Sequence, residues 1–241
     1  MPATPELSLV VPAFNEVRTI TETLQSIRRH LDGRALTHEV IVAADGDDGT
    51  REAAGALAAG DGRITVLGAR ERAGKGRAIR QAVARARGRT VGFVDADLKT
   101  PIEELEKLLP WLEEGYDVVI GSRAMSDSRI ERQPPALRRA ASRALRLLTR
   151  FLIGLQGIRD TQCGLKLFKG EAARDLFSRQ RIDGYMFDVE VLHLALRLGY
   201  RVKEVGVRWR ADRDSRLDPL AGNGRNVLDL LRIRFSGPSA S

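Results

Sequence analysis

The stretch Thr90-Val-Gly-Phe-Val-Asp-Ala-Asp97 carries a short apolar run straight into two carboxylates. A run of this length and composition reads as a strand buried on both faces. Four more runs surround it: Leu7-Ser-Leu-Val-Val11, Glu39-Val-Ile-Val-Ala43, Ile64-Thr-Val-Leu67 and Asp117-Val-Val-Ile120. Helix-like segments near 17–31, 50–59, 75–87 and 101–114 fall between them. This alternation predicts an α/β fold, a mostly parallel sheet flanked by helices, and such sheets bind ligands at the carboxyl ends of their strands. At those ends stand Pro12-Ala-Phe-Asn-Glu16, Asp45-Gly-Asp-Asp-Gly-Thr50, Asp95-Ala-Asp97 and Gly121-Ser-Arg123. Asn15 and Asp45 suit helix capping as well as a site. Asp95 and Asp97 do not. A spacing of two aims them to one side of an extended chain, and neither is well placed to cap a helix starting at Thr100-Pro101. In a chain with three histidines and one cysteine, two such carboxylates suit a hard cation, Mg²⁺ or Mn²⁺, that also coordinates a diphosphate.

The chain has 241 residues, 43% hydrophobic and 30% charged, which excludes disordered and fibrous classes. No linker divides it, so 1–241 is taken as a single domain. The lone Cys163 excludes an intramolecular disulfide and a cysteine zinc site, and implies a reducing compartment. Charge-free stretches of about nine residues fall short of the roughly 18 a bilayer requires. The amino-terminal residues lack the pattern of a signal peptide, so a cytoplasmic location is expected. The net charge of +8 is segregated: 70–89 carries +7, 129–150 carries +6 and 197–216 carries +4, leaving −9 elsewhere. Such segregation implies anionic partners. Nucleic acid is disfavoured, since the 12 aromatic residues are not interleaved in the basic loops as stacking platforms. Gly74-Lys75-Gly76 fits neither a Walker loop nor a dinucleotide fingerprint. It reads as a helix start whose free N–H groups, with Lys75 and Arg77, receive phosphate. His30, His38 and His193 show no metal spacing.

Beyond Arg123 the rhythm breaks. Met125 to Pro135 reads as a mobile loop leading into a helix at Ala136. There Arg139, Arg143, Arg146 and Arg150 form one stripe, and Leu137, Ala141, Leu145, Leu148, Phe151, Leu152 and Leu155 lie opposite. This basic amphipathic helix, 136–153, fits a membrane interface, or a surface helix packed on the sheet. Gly157 to Phe168 reads as a polar turn entering a short strand, followed by a helix in which Glu190 sits among Phe187, Val191 and Leu194 and requires a partner. Val202 to Trp209 reads as a strand, Arg210 to Arg216 as a basic loop, and Val227 to Phe235 as a terminal helix.

With these pieces in order, the chain resembles the family 2 glycosyltransferases of GT-A, Rossmann-like fold, in their dolichyl-phosphate glucosyltransferase and polyprenyl-phosphate hexosyltransferase branch. The resemblance runs from Val10-Val-Pro-Ala-Phe-Asn-Glu16 through Phe93-Val-Asp-Ala-Asp97, Val119-Ile-Gly-Ser-Arg123 and Gly157-Ile-Arg-Asp-Thr-Gln-Cys-Gly164 to Phe187-Asp-Val-Glu190. It implies a nucleotide-sugar-binding half, 1–123, and an acceptor-binding half, 124–241. Pro12, Asn15, Glu16, Asp45, Lys75 and Asp95 would line the nucleotide-sugar pocket, and Asp95 and Asp97 would hold Mg²⁺ or Mn²⁺ on the diphosphate. Arg123, Arg132, Arg213 and Arg216 would approach the phosphates. The chain departs from the family at Ala44-Asp-Gly-Asp-Asp-Gly49, one acid short of the usual pattern, which leaves UDP or GDP open, and at Lys99, where some relatives supply a metal ligand.

The implied reaction is an inverting transfer of a hexose, glucose favoured, from a nucleotide diphosphate sugar (UDP-glucose favoured, GDP-mannose allowed) to a polyprenyl phosphate. The protein would sit as a peripheral protein on the inner face of the membrane, and a homo-oligomer stays open. A phosphate acceptor needs no strong base; a hydroxyl acceptor would, with Asp160 the first candidate and Glu190 the second. Otherwise both would orient the acceptor arginines. The rival readings are a soluble transferase acting on a small hydroxyl acceptor and, remotely, a nucleic-acid-binding protein.

Overall fold

A computed structural model of the chain describes residues 4–132, 146–155, 157–210 and 223–235. The first half alternates as expected: β1 (Leu7–Phe14), α1 (Ile20–Asp32), β2 (His38–Asp45), α2 (Thr50–Ala59), β3 (Ile64–Leu67), α3 (Lys75–Val83) and β4 (Thr90–Phe93). A 3₁₀ turn (Ile102–Glu104), α4 (Leu105–Glu113) and β5 (Val118–Ser122) follow. Then come β6 (Arg129–Arg132), the helical residues 146–153 (α5), β7 (Lys166–Lys169), α6 (Gly170–Arg179), α7 (Phe187–Arg197), β8 (Val202–Gly206), β9 (Arg208–Arg210) and α8 (Asn223–Phe235).

Seven strands form one sheet in the order β3-β2-β1-β4-β7-β5-β8, in which only β7 runs antiparallel to its neighbours. Strand side chains alternate between faces, and both faces are covered. Leu9, Val11, Val40 and Val42 pack with α1 and α4. Val10, Ile41, Phe93 and Phe168 pack with α3, α6, α7 and Ile153 of α5. Burial on both faces is why the strands read as nearly continuous apolar runs.

Two expectations need correction. The stretch 125–135 is not all loop, because Arg129–Arg132 pairs in parallel with β9 as a second, two-stranded sheet. With one apolar residue in Arg-Ile-Glu-Arg, its order comes from the partner strand and not from its own pattern. The strand expected from Val202 to Trp209 breaks at Val207, with β8 in the main sheet and β9 in the small one. A helix not singled out from the sequence, α6, precedes α7. The basic loop after Arg210 and the first part of the amphipathic helix, 136–145, lie outside the described residues, as do Arg213 and Arg216.

Candidate active site

The crevice opens where β1 and β4 part. Their pairing runs from Leu7 with Thr90 to Val10 with Phe93, and ends as the Val94 N–H donates to the Val10 carbonyl. Pro12, two residues further along the same edge, has no N–H to lose there. This is the point at which strand order reverses, the usual ligand position in such sheets.

Past β4, Asp95-Ala-Asp97 forms a turn in which the Leu98 N–H donates to the Asp95 carbonyl and Leu98 takes φ +45°. Strand alternation therefore does not aim the two carboxylates. Separate contacts do. Asp95 Oδ1 accepts from Lys75 Nζ at 2.7 Å, and Asp97 Oδ2 from Lys99 Nζ at 2.5 Å. Thr23 of α1 donates to the Ala96 carbonyl at 2.5 Å, pinning the residue between them. A Cβ at Gly164 would overlap the Asp95 carboxylate, so the glycine ending the Arg159–Gly164 motif leaves that carboxylate its space. Burial opposes charge on Lys75, but Asp95 and Asp188 outweigh it and hold the ammonium above the ordinary lysine range. Burial likewise opposes charge on Asp95, but Lys75, Lys166 and Lys99 hold its carboxyl below the usual carboxylate range.

Carboxylate oxygens are the donor type a hard divalent cation takes, but here each of the two carboxylates is paired with a lysine, and no group of three metal-binding side chains occurs among the described residues. The remaining positions would fall to water and diphosphate oxygens.

Beside the acidic turn, Arg123 leaves the end of β5. Asp160 grips it by the backbone N–H at 2.9 Å, Nε at 2.7 Å and a terminal nitrogen at 2.8 Å. The guanidinium also lies 5.4 Å from the centre of the Trp209 ring. Asp160 is 1% exposed. Burial would raise its pKa, yet Arg123 and the bound N–H groups hold it far below the usual range. As a general base Asp160 is therefore unsuitable, since a carboxylate so stabilised has little tendency to take a proton. It is the residue that orients Arg123. Next to it, Gln162 Nε2 is a buried donor with no acceptor among the described residues.

Other expectations change when side chains are placed. The two carboxylate oxygens of Asp45 accept from the N–H groups of Ala69 and Ala73, at 3.2 and 3.0 Å, and so brace the 69–73 loop. Asn15, at φ +54°, stands against Gly46 at the end of β1, and the Glu16 N–H donates to Thr50 Oγ1 at 2.7 Å. The start of α3 is not an open phosphate site: the Gly76 and Arg77 N–H groups donate to the Asp183 carbonyl. From the start of α3, it is the Lys75 side chain that reaches the acidic turn. Glu190 is not brought to Arg123. Its carboxylate accepts from the N–H groups of Arg181 and Ile182 at 2.8–3.0 Å and holds the connection between α6 and α7. Arg132 lies in β6, in register with Arg210.

The sequence reading passed over Lys166 and Asp188. Both are almost fully buried, 2.6 Å apart, and the Lys166 ammonium also donates to the Cys163 carbonyl at 2.6 Å. An apolar-looking strand, Leu165-Lys-Leu-Phe168, gave no sign that its lysine points inward.

A doubly covered sheet with strands ordered 3-2-1-4 and an acidic turn after β4 is the layout of GT-A glycosyltransferases. The family model described as Glycosyl transferase family 2 matches residues 8–177, and the chain belongs to that family. It is 39% identical over 230 residues to the glycosyltransferase AglD of Haloferax volcanii, covering 92% of this chain and 36% of that protein. It is 31% identical to the dolichyl-phosphate beta-glucosyltransferase of Dictyostelium discoideum, covering 95% and 74%. The chain thus spans about a third of the first relative and about three quarters of the second. Among solved structures, it matches glucosyl-3-phosphoglycerate synthase from Mycobacterium tuberculosis in complex with Mn²⁺, UDP and phosphoglyceric acid. That match has a TM-score of 0.72 and 27% identity, and covers 98% of this chain and 80% of that one.

Proposed function

We propose that the protein transfers a hexose, glucose favoured, with inversion from a nucleotide diphosphate sugar to a polyprenyl phosphate. One observation carries the choice of acceptor: the carboxylates of the crevice are already committed. Asp95 and Asp97 pair with Lys75 and Lys99, Asp45 accepts from backbone N–H groups, and Asp160 is locked to Arg123. A hydroxyl acceptor would need a base. A phosphate monoester, with a second pKa of about 6, arrives as the nucleophile.

In this reading Pro12, Asn15 and Glu16 line the nucleotide pocket, with Asp45 behind its wall. Asp95 and Asp97 would hold Mg²⁺ or Mn²⁺, which when bound would supply Lewis-acid compensation of charge on the leaving diphosphate. Lys75 adds a fixed positive charge there, and Gln162 offers its unsatisfied donor to a sugar or phosphate oxygen. Arg123, prealigned by Asp160, holds the acceptor phosphate against the sugar, with Arg132, Arg213 and Arg216 as further acceptor contacts. UDP-glucose is the favoured donor, in keeping with the relatives' names and the UDP complex of the structural neighbour.

A peripheral position on the inner membrane face follows from the acceptor. No described helix is long and apolar enough to cross a membrane. On α8, Leu228, Leu231 and Phe235 form one exposed stripe, with Arg225 and Arg232 on one flank and Arg234 on the other, the pattern of an interfacial helix.

The test is to incubate purified protein with UDP-glucose or GDP-mannose, Mg²⁺ or Mn²⁺, and a short polyprenyl phosphate, with 3-phosphoglycerate as a parallel acceptor, and to analyse products by mass spectrometry. A glycosylated polyprenyl phosphate is expected. Product on 3-phosphoglycerate alone would establish the soluble-acceptor reading that the structural neighbour's name raises.

A further inference from the structure

We infer that a cleft between α5 and the segment 158–161 binds the phosphate of an anionic lipid head group, at a place separate from the site of sugar transfer. Arg146 and Arg150 stand one turn apart on α5, and Arg159 joins them from the segment that carries Asp160. Thr149 and Thr161 complete the polar lining over an apolar floor of Leu155 and Ile158. Three arginines thus line one shallow surface depression, and no carboxylate is among its lining residues. Several other arginines are spent on carboxylates, among them Arg63, Arg80, Arg87, Arg123 and Arg208; what sets Arg146, Arg150 and Arg159 apart from the remaining arginines is that they line one cleft together. Clustered guanidinium groups repel one another, and a phosphate with its several acceptor oxygens relieves that repulsion through paired N–H donors.

The cleft is anchored before any ligand arrives. The Arg159 and Asp160 N–H groups both donate to the Glu204 carboxylate of β8, at 2.8–3.2 Å, so that acid is spent on the backbone of the segment. The side chain of Asp160 fixes the segment from the other side through Arg123. The same helix identifies the source of the phosphate. Leu147, Leu148 and Phe151 of α5 are 63%, 36% and 87% exposed. A free phosphate would have no use for that apolar flank, whereas a lipid head group with its chains uses both. Arg159 and Thr161 are the sequence neighbours of Asp160, so the cleft backs directly onto the residue that orients Arg123.

The inference rests on the reading of a membrane-borne acceptor, and one set of measurements separates the two. The full chain is sedimented with phosphatidylcholine vesicles, with and without phosphatidylglycerol, and compared with the triple variant Arg146→Gln, Arg150→Gln, Arg159→Gln. The charge-matched control is Arg29→Gln, Arg85→Gln, Arg174→Gln. Each arginine near an anionic surface contributes about fivefold to partition. The cleft variant is therefore expected to lose at least about tenfold on anionic vesicles and the control less than about threefold, with UDP binding unchanged in both. Equal losses would overturn the cleft in favour of diffuse charge. A cleft variant that loses calorimetric binding of inorganic phosphate while keeping wild-type partition onto anionic vesicles would overturn the lipid head group. Failure of the wild-type chain to bind anionic vesicles would overturn the cleft and the membrane reading together.

Discussion

A methyl group at residue 164 would occupy the volume of the Asp95 carboxylate, so Gly164→Ala is expected to push Asp95 off the Lys75 contact. Mn²⁺ binding in the presence of UDP, followed by calorimetry, should weaken at least about tenfold, the usual effect of disturbing what supports a metal ligand. Asp160→Asn removes the charge that aligns Arg123 while leaving a side chain of similar shape. It should lower kcat/KM about tenfold or more, and Arg123→Gln about a hundredfold. Neither change should move the acid limb of the pH profile. Asp160 is held ionised far below the working range, so the rate should fall only as pH drops through about 6, where the acceptor phosphate takes its second proton. A limb that shifts in Asp160→Asn would restore Asp160 as the base. The placing of Asp95, Asp97 and Arg123 just past the ends of β4 and β5 was legible in the sequence, because residue type and position at a strand end are both local properties. The burial of Asp160, the inward aim of Lys166 and the use of Glu190 on backbone N–H groups were not, because each depends on a partner distant in sequence.

Pairs of segments, not single ones, set the crevice. The hydroxyl of Thr23 joins α1 to the acidic turn, and Thr23→Val leaves the Ala96 carbonyl buried without that donor. A loss of about 1–3 kcal/mol in urea unfolding is expected, with weaker Mn²⁺ binding, because residue 96 is then free to shift. The ion pair of Lys166 and Asp188 joins β7 to α7. Asp188→Asn should cost about 3–5 kcal/mol by stranding a buried ammonium, and the double variant Lys166→Met, Asp188→Leu should recover most of it. The first five strands were readable because each is buried on both faces and carries its own apolar signature. β6 was not, since Arg-Ile-Glu-Arg is ordered by β9 across some 80 residues of chain, a non-local pairing that composition does not announce.

Taken over the full chain, the +8 charge resolves into positions. Within the window 70–89, Lys75 faces the acidic turn, while Arg80 and Arg87 serve Asp183 and Glu39 as structural partners. Within 129–150, Arg146 and Arg150 line the cleft. Binding to anionic vesicles should therefore fall steeply as salt is raised, and more steeply than UDP binding at the partly buried acidic turn; the two titrations can be run on one preparation. The placing of β7 bears on how the chain is made. It runs antiparallel between β4 and β5, so β4 and β5 do not pair directly. During synthesis the free edge of β4, with Val91 and Phe93, waits for Lys166–Lys169, about 70 residues later, which at ordinary translation rates is roughly 4–15 s. A ribosome arrested between the two should carry four finished strands with one unsealed edge. Such an edge is a template for wrong pairing, so the nascent chain should be cut readily by protease until residue 169 has left the exit tunnel.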